Sequence, residues 1–262
     1  MTGPLIDAKD LDLERFVVLD ARASADAYAA GHVRGAFHAD LESDLSTPAD
    51  PSQGGRHPLP TVERWAATLG RWGIGPDTPV AIYDDRGGAI AAARAWWMLR
   101  AVGHERVAVV DGGWPAIVAA GVPTDDRPVP RVDGPAYPVA SWSAPTVSLD
   151  EVEGREPSRI VVDVRAPERY RGDTEPLDPV AGHIPGAINL PFAENLGPDG
   201  RFLDPATLRA RYEAALGDAA DTAILSCGSG VTACHGLLAM EHAGLGGAAL
   251  YVGSWSEWCR RR

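Results

Sequence analysis

Ile224-Leu225-Ser226-Cys227-Gly228-Ser229-Gly230-Val231-Thr232-Ala233 is the stretch on which the reading of this chain turns. An apolar run of buried-strand character ends at a cysteine. A short turn with two glycines follows, and a helical pattern runs from Ala233 to Ala243. A strand that feeds a helix through a tight turn aims backbone N–H groups at one point, where the helix N-terminus adds partial positive charge. A thiol placed there is set up to be held as a thiolate, the nucleophilic form. Cys227 is therefore the candidate nucleophile. Gly228, Ser229, Gly230, Val231 and Thr232 are the candidate cradle for its anion and for a bound substrate.

Segments around this stretch recur in the first half of the chain. Val17-Val18-Leu19-Asp20-Ala21-Arg22 is echoed by Val161-Val162-Asp163-Val164-Arg165. Gly31-His32-Val33-Arg34-Gly35-Ala36 is echoed by Gly182-His183-Ile184-Pro185-Gly186-Ala187. Val80 to Gly88 parallels Ala223 to Gly230, and Val109 to Trp114 parallels Leu250 to Trp255. The matches keep their order, so the chain reads as a duplication of one domain-sized unit. Short β-branched runs (Val17–Asp20, Val80–Tyr83, Val107–Val110) alternate with helical patterns (Val62–Leu69, Ile90–Val102). Unpatterned apolar strands between helices predict α/β domains, each a parallel sheet flanked by helices. The proline-, aspartate- and glycine-rich stretch near residues 123–145 marks the seam. The expected division is a first domain over 1–124, a linker over 125–145 and a second domain over 146–262.

The bulk composition narrows the chemistry. The chain has 262 residues and a net charge of −12, which argues against nucleic acid or an anionic membrane as partner. Lys9 is the one lysine, so any anion pocket must use arginine, histidine or backbone N–H groups. No apolar run reaches spanning length, and the N-terminus lacks a signal-peptide pattern. The three cysteines, Cys227, Cys234 and Cys259, cluster at one end and make no disulfide framework. A cytoplasmic setting is expected. Cys227, Cys234, His235 and His242 lack zinc-site spacing, so no metal is expected, and no organic cofactor.

The paired Gly-His-x-x-Gly-Ala segments, the paired Gly-x-Trp segments and Cys227-Gly228-Ser229-Gly230-Val231-Thr232-Ala233 together resemble the two-domain rhodanese sulfurtransferases, over nearly the whole chain. The resemblance implies tandem rhodanese-like domains, an inactive first copy and a catalytic second copy. It implies that Cys227 takes a sulfane sulfur from a small anionic donor, 3-mercaptopyruvate or thiosulfate, as a persulfide. The sulfur then passes to cyanide or to a thiol or thioredoxin-like acceptor. Aligning Ala81-Ile82 with Ala223-Ile224 sets Asp85 at the place of Cys227, and a carboxylate carries no sulfane sulfur.

Within the resemblance, Arg169 of Arg169-Tyr170-Arg171-Gly172 matches the first donor-binding arginine. Mercaptopyruvate enzymes usually add a second about nine residues on, where this chain has Glu175-Pro176-Leu177-Asp178-Pro179. The loop side chains point to mercaptopyruvate and the absent arginine leaves the donor open. Ser229 matches a serine assigned to proton handling with a histidine of the N-terminal half, and His32 is the expected match, with Asp20 or Asp26 as the aspartate. Two other classes bear on Cys227. A cysteine phosphatase needs an arginine six positions on, where this chain has Ala233. A persulfide carrier or partner-binding module with little small-molecule turnover is the remaining alternative.

Overall fold

The computed structural model describes residues 3–88 and 90–262. It divides into two compact units. The first takes the chain up to Ser46 together with Pro60–Ala144 and Pro198–Arg201. The second takes Thr47–Leu59, Pro145–Gly197 and Phe202–Arg262.

Each unit is built on a five-stranded, all-parallel sheet. In the first the strands lie in the order Leu5–Asp7, Val107–Asp111, Val80–Tyr83, Val17–Asp20, Phe37–His38. In the second the order is Thr146–Val147, Ala249–Tyr251, Ile224–Ser226, Val161–Asp163, Ile188–Asn189, which repeats the first strand for strand. The central strands are apolar up to their C-terminal residues because helices cover both faces of a parallel sheet. Leu19, Ile82 and Val109 in the first unit, and Val161, Ile224 and Leu250 in the second, are fully buried. The predicted helices form over Val62–Arg71, Ala91–Arg100 and Ala233–His242. Gly236 lets the last of these lie directly on the strand before Cys227, since a Cβ there would stand 2.5 Å from Leu225 Cδ2.

The duplication extends to individual hydrogen bonds. Asp20 takes Arg22 Nη2 at 2.6 Å, and the same nitrogen donates to Gly31 O at 2.7 Å. Asp163, Arg165 and Gly182 repeat this geometry at 2.6 and 2.7 Å. Arg22 lies over the ring of Trp114 and Arg165 over that of Trp255, which accounts for the repeated tryptophan.

Two expectations need correction. The stretch expected as a linker packs along the first unit: Val132 N donates to Arg71 O (2.8 Å), Tyr137 N to Ala66 O (3.0 Å) and Ser143 N to Ala101 O (2.7 Å). A chain too rich in proline for its own ladder instead donates to helix carbonyls, at the helix end for Arg71 and just beyond it for Ala101, and within the helix for Ala66. The sheet register also shifts the pairing of the two halves by one residue. Asp20 sits beside Tyr83 and its twin Asp163 beside Ser226, so Asp84, not Asp85, occupies the place of Cys227. The next element agrees, because Trp114 N donates to Asp84 O as Trp255 N donates to Cys227 O. Runs of small apolar residues align equally well one step apart, and only the pairing of strands distinguishes the alternatives.

Candidate active site

Cys227 stands at the C-terminal end of the strand Ile224–Ser226 and is 2 % exposed. The segment after the next strand fixes it from beneath. The Cys227 N–H donates to Ser254 Oγ (3.1 Å), and the carbonyls of Cys227 and Gly228 accept from Trp255 N (3.1 Å) and Ser256 N (2.9 Å). Ser254 has φ +52°, the one left-handed non-glycine residue among those described. Its hydroxyl justifies that strained conformation by capping Cys227 while donating to Tyr251 O at 2.8 Å.

The turn from Gly228 to Thr232 leads directly into the helix Ala233–His242, whose first residue follows Thr232. Among the described residues, no acceptor takes the N–H groups of Gly228, Ser229, Val231 or Thr232. They form the ring of unused donors that the sequence pattern predicts for an anion.

Ser229 and His57 meet in the second unit, with Nδ1 of the ring 2.7 Å from the serine Oγ. His32 is not the histidine at Ser229. It belongs to the first unit, is fully buried and stacks on Tyr28 at 3.9 Å. Its Nδ1 lies 2.9 Å from Tyr28 O and its Nε2 3.2 Å from Arg127 O. His183, its twin, stacks on Tyr170 and bonds Tyr170 O in the same way, so the Gly-His-x-x-Gly-Ala signature spends its histidine on structure. His57 could have been found in the sequence only as a histidine in a turn-rich stretch between elements (Gly54-Gly55-Arg56-His57-Pro58), outside the segments that repeat.

Arg169 reaches the loop. A Cβ at Gly228 would lie 3.6 and 3.7 Å from its two terminal nitrogens, and Glu175 holds the guanidinium at 2.6 Å. Arg56, absent from the sequence reading, lies over the same glycine, with Nη2 3.1 Å from that position. Glu175 is shared with Arg165 at 3.2 Å. Burial works against the Arg165 charge, but its hydrogen bond to Asp163 and the charges of Asp163 and Glu175 leave its pKa raised. Cys234 is buried with Sγ 3.3 Å from Gly230 O, as a packed small residue would be. Burial, with Asp178 nearby, pushes the Cys259 thiol up. All three cysteines are free. Among the described residues no cluster of His, Cys, Asp and Glu has metal-binding form, and no helix is long and apolar enough to cross a membrane.

The rhodanese-like domain family matches the chain twice, over residues 5–120 and 148–261. The chain belongs to the rhodanese-like family. A Pseudomonas aeruginosa protein named "Probable 3-mercaptopyruvate sulfurtransferase" is 45 % identical over 248 residues, 93 % of this chain and 87 % of that protein. The thiosulfate sulfurtransferase of Bos taurus is 37 % identical over 243 residues, 89 % of this chain and 79 % of that protein. A solved structure of the 3-mercaptopyruvate sulfurtransferase from Leishmania major superposes with a TM-score of 0.87 at 31 % identity, covering 98 % of this chain and 74 % of that one. This rhodanese-like chain is a sulfurtransferase, and its relatives include enzymes named for either donor.

Proposed function

We propose that the chain transfers the sulfur of 3-mercaptopyruvate, through a persulfide on Cys227, to a thiol or cyanide acceptor. The observation that carries the choice of donor is the Ser229–His57 hydrogen bond beside Cys227. Losing sulfur turns mercaptopyruvate into the enolate of pyruvate, a strong base that must gain a proton at carbon. Thiosulfate releases sulfite, a weak base that needs no such proton. A hydroxyl backed by an imidazole at 2.7 Å suits the first reaction and gives the second no advantage. The side chains after Cys227 are a bare glycine and that serine, so the turn itself offers no cation to a doubly charged donor.

The Cys227 thiolate attacks the donor sulfur, held there by the unused N–H groups of the turn. The new S–S bond forms as the S–C bond breaks, and the electron pair goes to the carbon. Ser229 delivers a proton to the enolate and takes one from His57 in return. Pyruvate leaves, and the donor's own thiol proton stays on the terminal sulfur of the persulfide. An acceptor thiolate then attacks that terminal sulfur and frees the Cys227 thiolate. The proton released when the acceptor thiol ionises restores His57. Arg169 pairs with the donor carboxylate throughout.

Comparing kcat/KM for the two donors tests this reading. Ser229→Ala and His57→Asn should each lower turnover of mercaptopyruvate by roughly 100-fold, and leave the slower reaction with thiosulfate nearly unchanged. Equal losses with both donors, or a wild type that prefers thiosulfate, would overturn the donor assignment. Cys227→Ser should acquire no extra sulfur by mass spectrometry with either donor.

A further inference from the structure

Arg56 reaches the Cys227 turn by a built route. It lies in Thr47–Leu59, a segment that groups with the second unit although the first unit surrounds it in sequence. Gly54 N donates to Glu257 Oε1 (3.0 Å) and Arg56 N to Ser256 Oγ (3.0 Å). Gly55 has φ +83°, and a Cβ there would lie 2.5 Å from Gly253 O, so only glycine lets the segment pass so close. The guanidinium is then pinned at one end. Its Nη1 pairs with Asp178, whose carboxylate is completely buried, and whose other oxygen takes Arg260 Nη1 at 2.7 Å. That leaves Nη2 over Gly228, where the terminal nitrogens of Arg169 also converge. Arg169 is fixed by Glu175 in the same manner, and its buried Nε has no hydrogen-bond partner among the described residues.

Two guanidinium groups brought over one glycine beside the nucleophile, each with a terminal nitrogen not used on its carboxylate, present donors to one point where an anion would bridge them. Each is 20 % exposed, so neither is a surface arginine free to swing away. Each is oriented by a buried carboxylate three residues from the other, Glu175 and Asp178. Asp178 also stands nine residues after Arg169, where the resemblance to mercaptopyruvate enzymes implies a second donor-binding arginine. We infer that Arg56 is that second arginine, supplied by a different segment of chain. It binds the oxyanion of the sulfur donor together with Arg169, and Asp178 is its positioning residue. The inference rests on the reading that Cys227 takes sulfur from a small anionic donor. Its ligand chemistry, a carboxylate or sulfonate gripped by two planar forks, is common to mercaptopyruvate and thiosulfate.

The test uses the full chain. Steady-state kinetics with each donor should show KM raised about tenfold or more in Arg56→Ala, with kcat changed far less and Arg56→Lys intermediate. Asp178→Asn, which keeps the shape but loosens the grip on Arg56, should raise KM in the same sense. Calorimetric binding of pyruvate and of sulfite to Cys227→Ser, with and without Arg56→Ala, reads the same site without turnover. Weaker binding of pyruvate alone assigns the clamp to carboxylates, and weaker binding of both assigns it to oxyanions in general. Correctly folded Arg56→Ala with unchanged KM and unchanged anion affinity, or with a loss confined to kcat, would remove Arg56 from donor binding. A wild type that gains no sulfur on Cys227 from either donor would instead overturn the underlying assignment.

Discussion

A methyl group at residue 230 would press into the carbonyl oxygen of Val252, and the backbone there sits at φ +74°. Gly230→Ala is therefore expected to destabilise the protein by about 2 kcal/mol or more, and to lower turnover further by reshaping the turn around Cys227. Thermal unfolding and kcat would show the two effects separately. A variant with wild-type Tm and kcat would mean that the turn can relax. At this scale much was legible. The cysteine, the glycines and the serine of the turn were read from their order, because a tight turn between strand and helix leaves few options. Ser254 was not legible. Serine carries no mark of a left-handed conformation, and its role depends on the Cys227 N–H across a gap of 27 residues.

The strand–turn–helix element occurs twice, and the turn of the first copy is occupied by a carboxyl group of its own. Asp84 occupies the place of Cys227. Its carboxylate accepts from Arg86 N (2.8 Å), Gly88 N (2.9 Å), Ile90 N (3.1 Å) and Ala92 N (3.3 Å). Burial raises the pKa of this carboxyl, and the four donors only partly offset it. The turn that is the candidate cradle around Cys227 in one unit is thus filled in the other by a side chain that can neither leave nor carry sulfur. Asp84→Ala strands those donors and should cost about 2–4 kcal/mol of stability, with kcat/KM through Cys227 nearly intact. A large fall in kcat/KM with unchanged Tm would show that the first turn serves catalysis. The alternation of strands and helices was evident in the sequence, since both periodicities are local. The one-residue offset between copies was not, because strand pairing alone fixes it.

For the whole molecule, sequence order and spatial order part company at residues 47–59. Cutting the chain between residues 144 and 145 leaves the Cys227 turn in one piece but removes Arg56 and His57 from it. The fragment 145–262 should lose roughly 100-fold or more in kcat/KM, and recover on mixing with the fragment 1–144. Full activity in the isolated fragment would exclude both residues from the reaction. The sequence by itself determined the duplicated α/β plan and the strand–turn–helix segment that carries the candidate nucleophile and its candidate cradle, because each is written in neighbouring residues whose spacing dictates their geometry. Tertiary structure brought His57 to Ser229 and added Arg56 beside Arg169 over Gly228. The His57–Ser229 contact joins positions 172 residues apart and the Arg56–Asp178 pair positions 122 apart. Such contacts depend on the path of a non-repeating segment across the second unit. That path is set by close backbone packing at Gly55 and hydrogen bonds to Ser256 and Glu257, which no local pattern records.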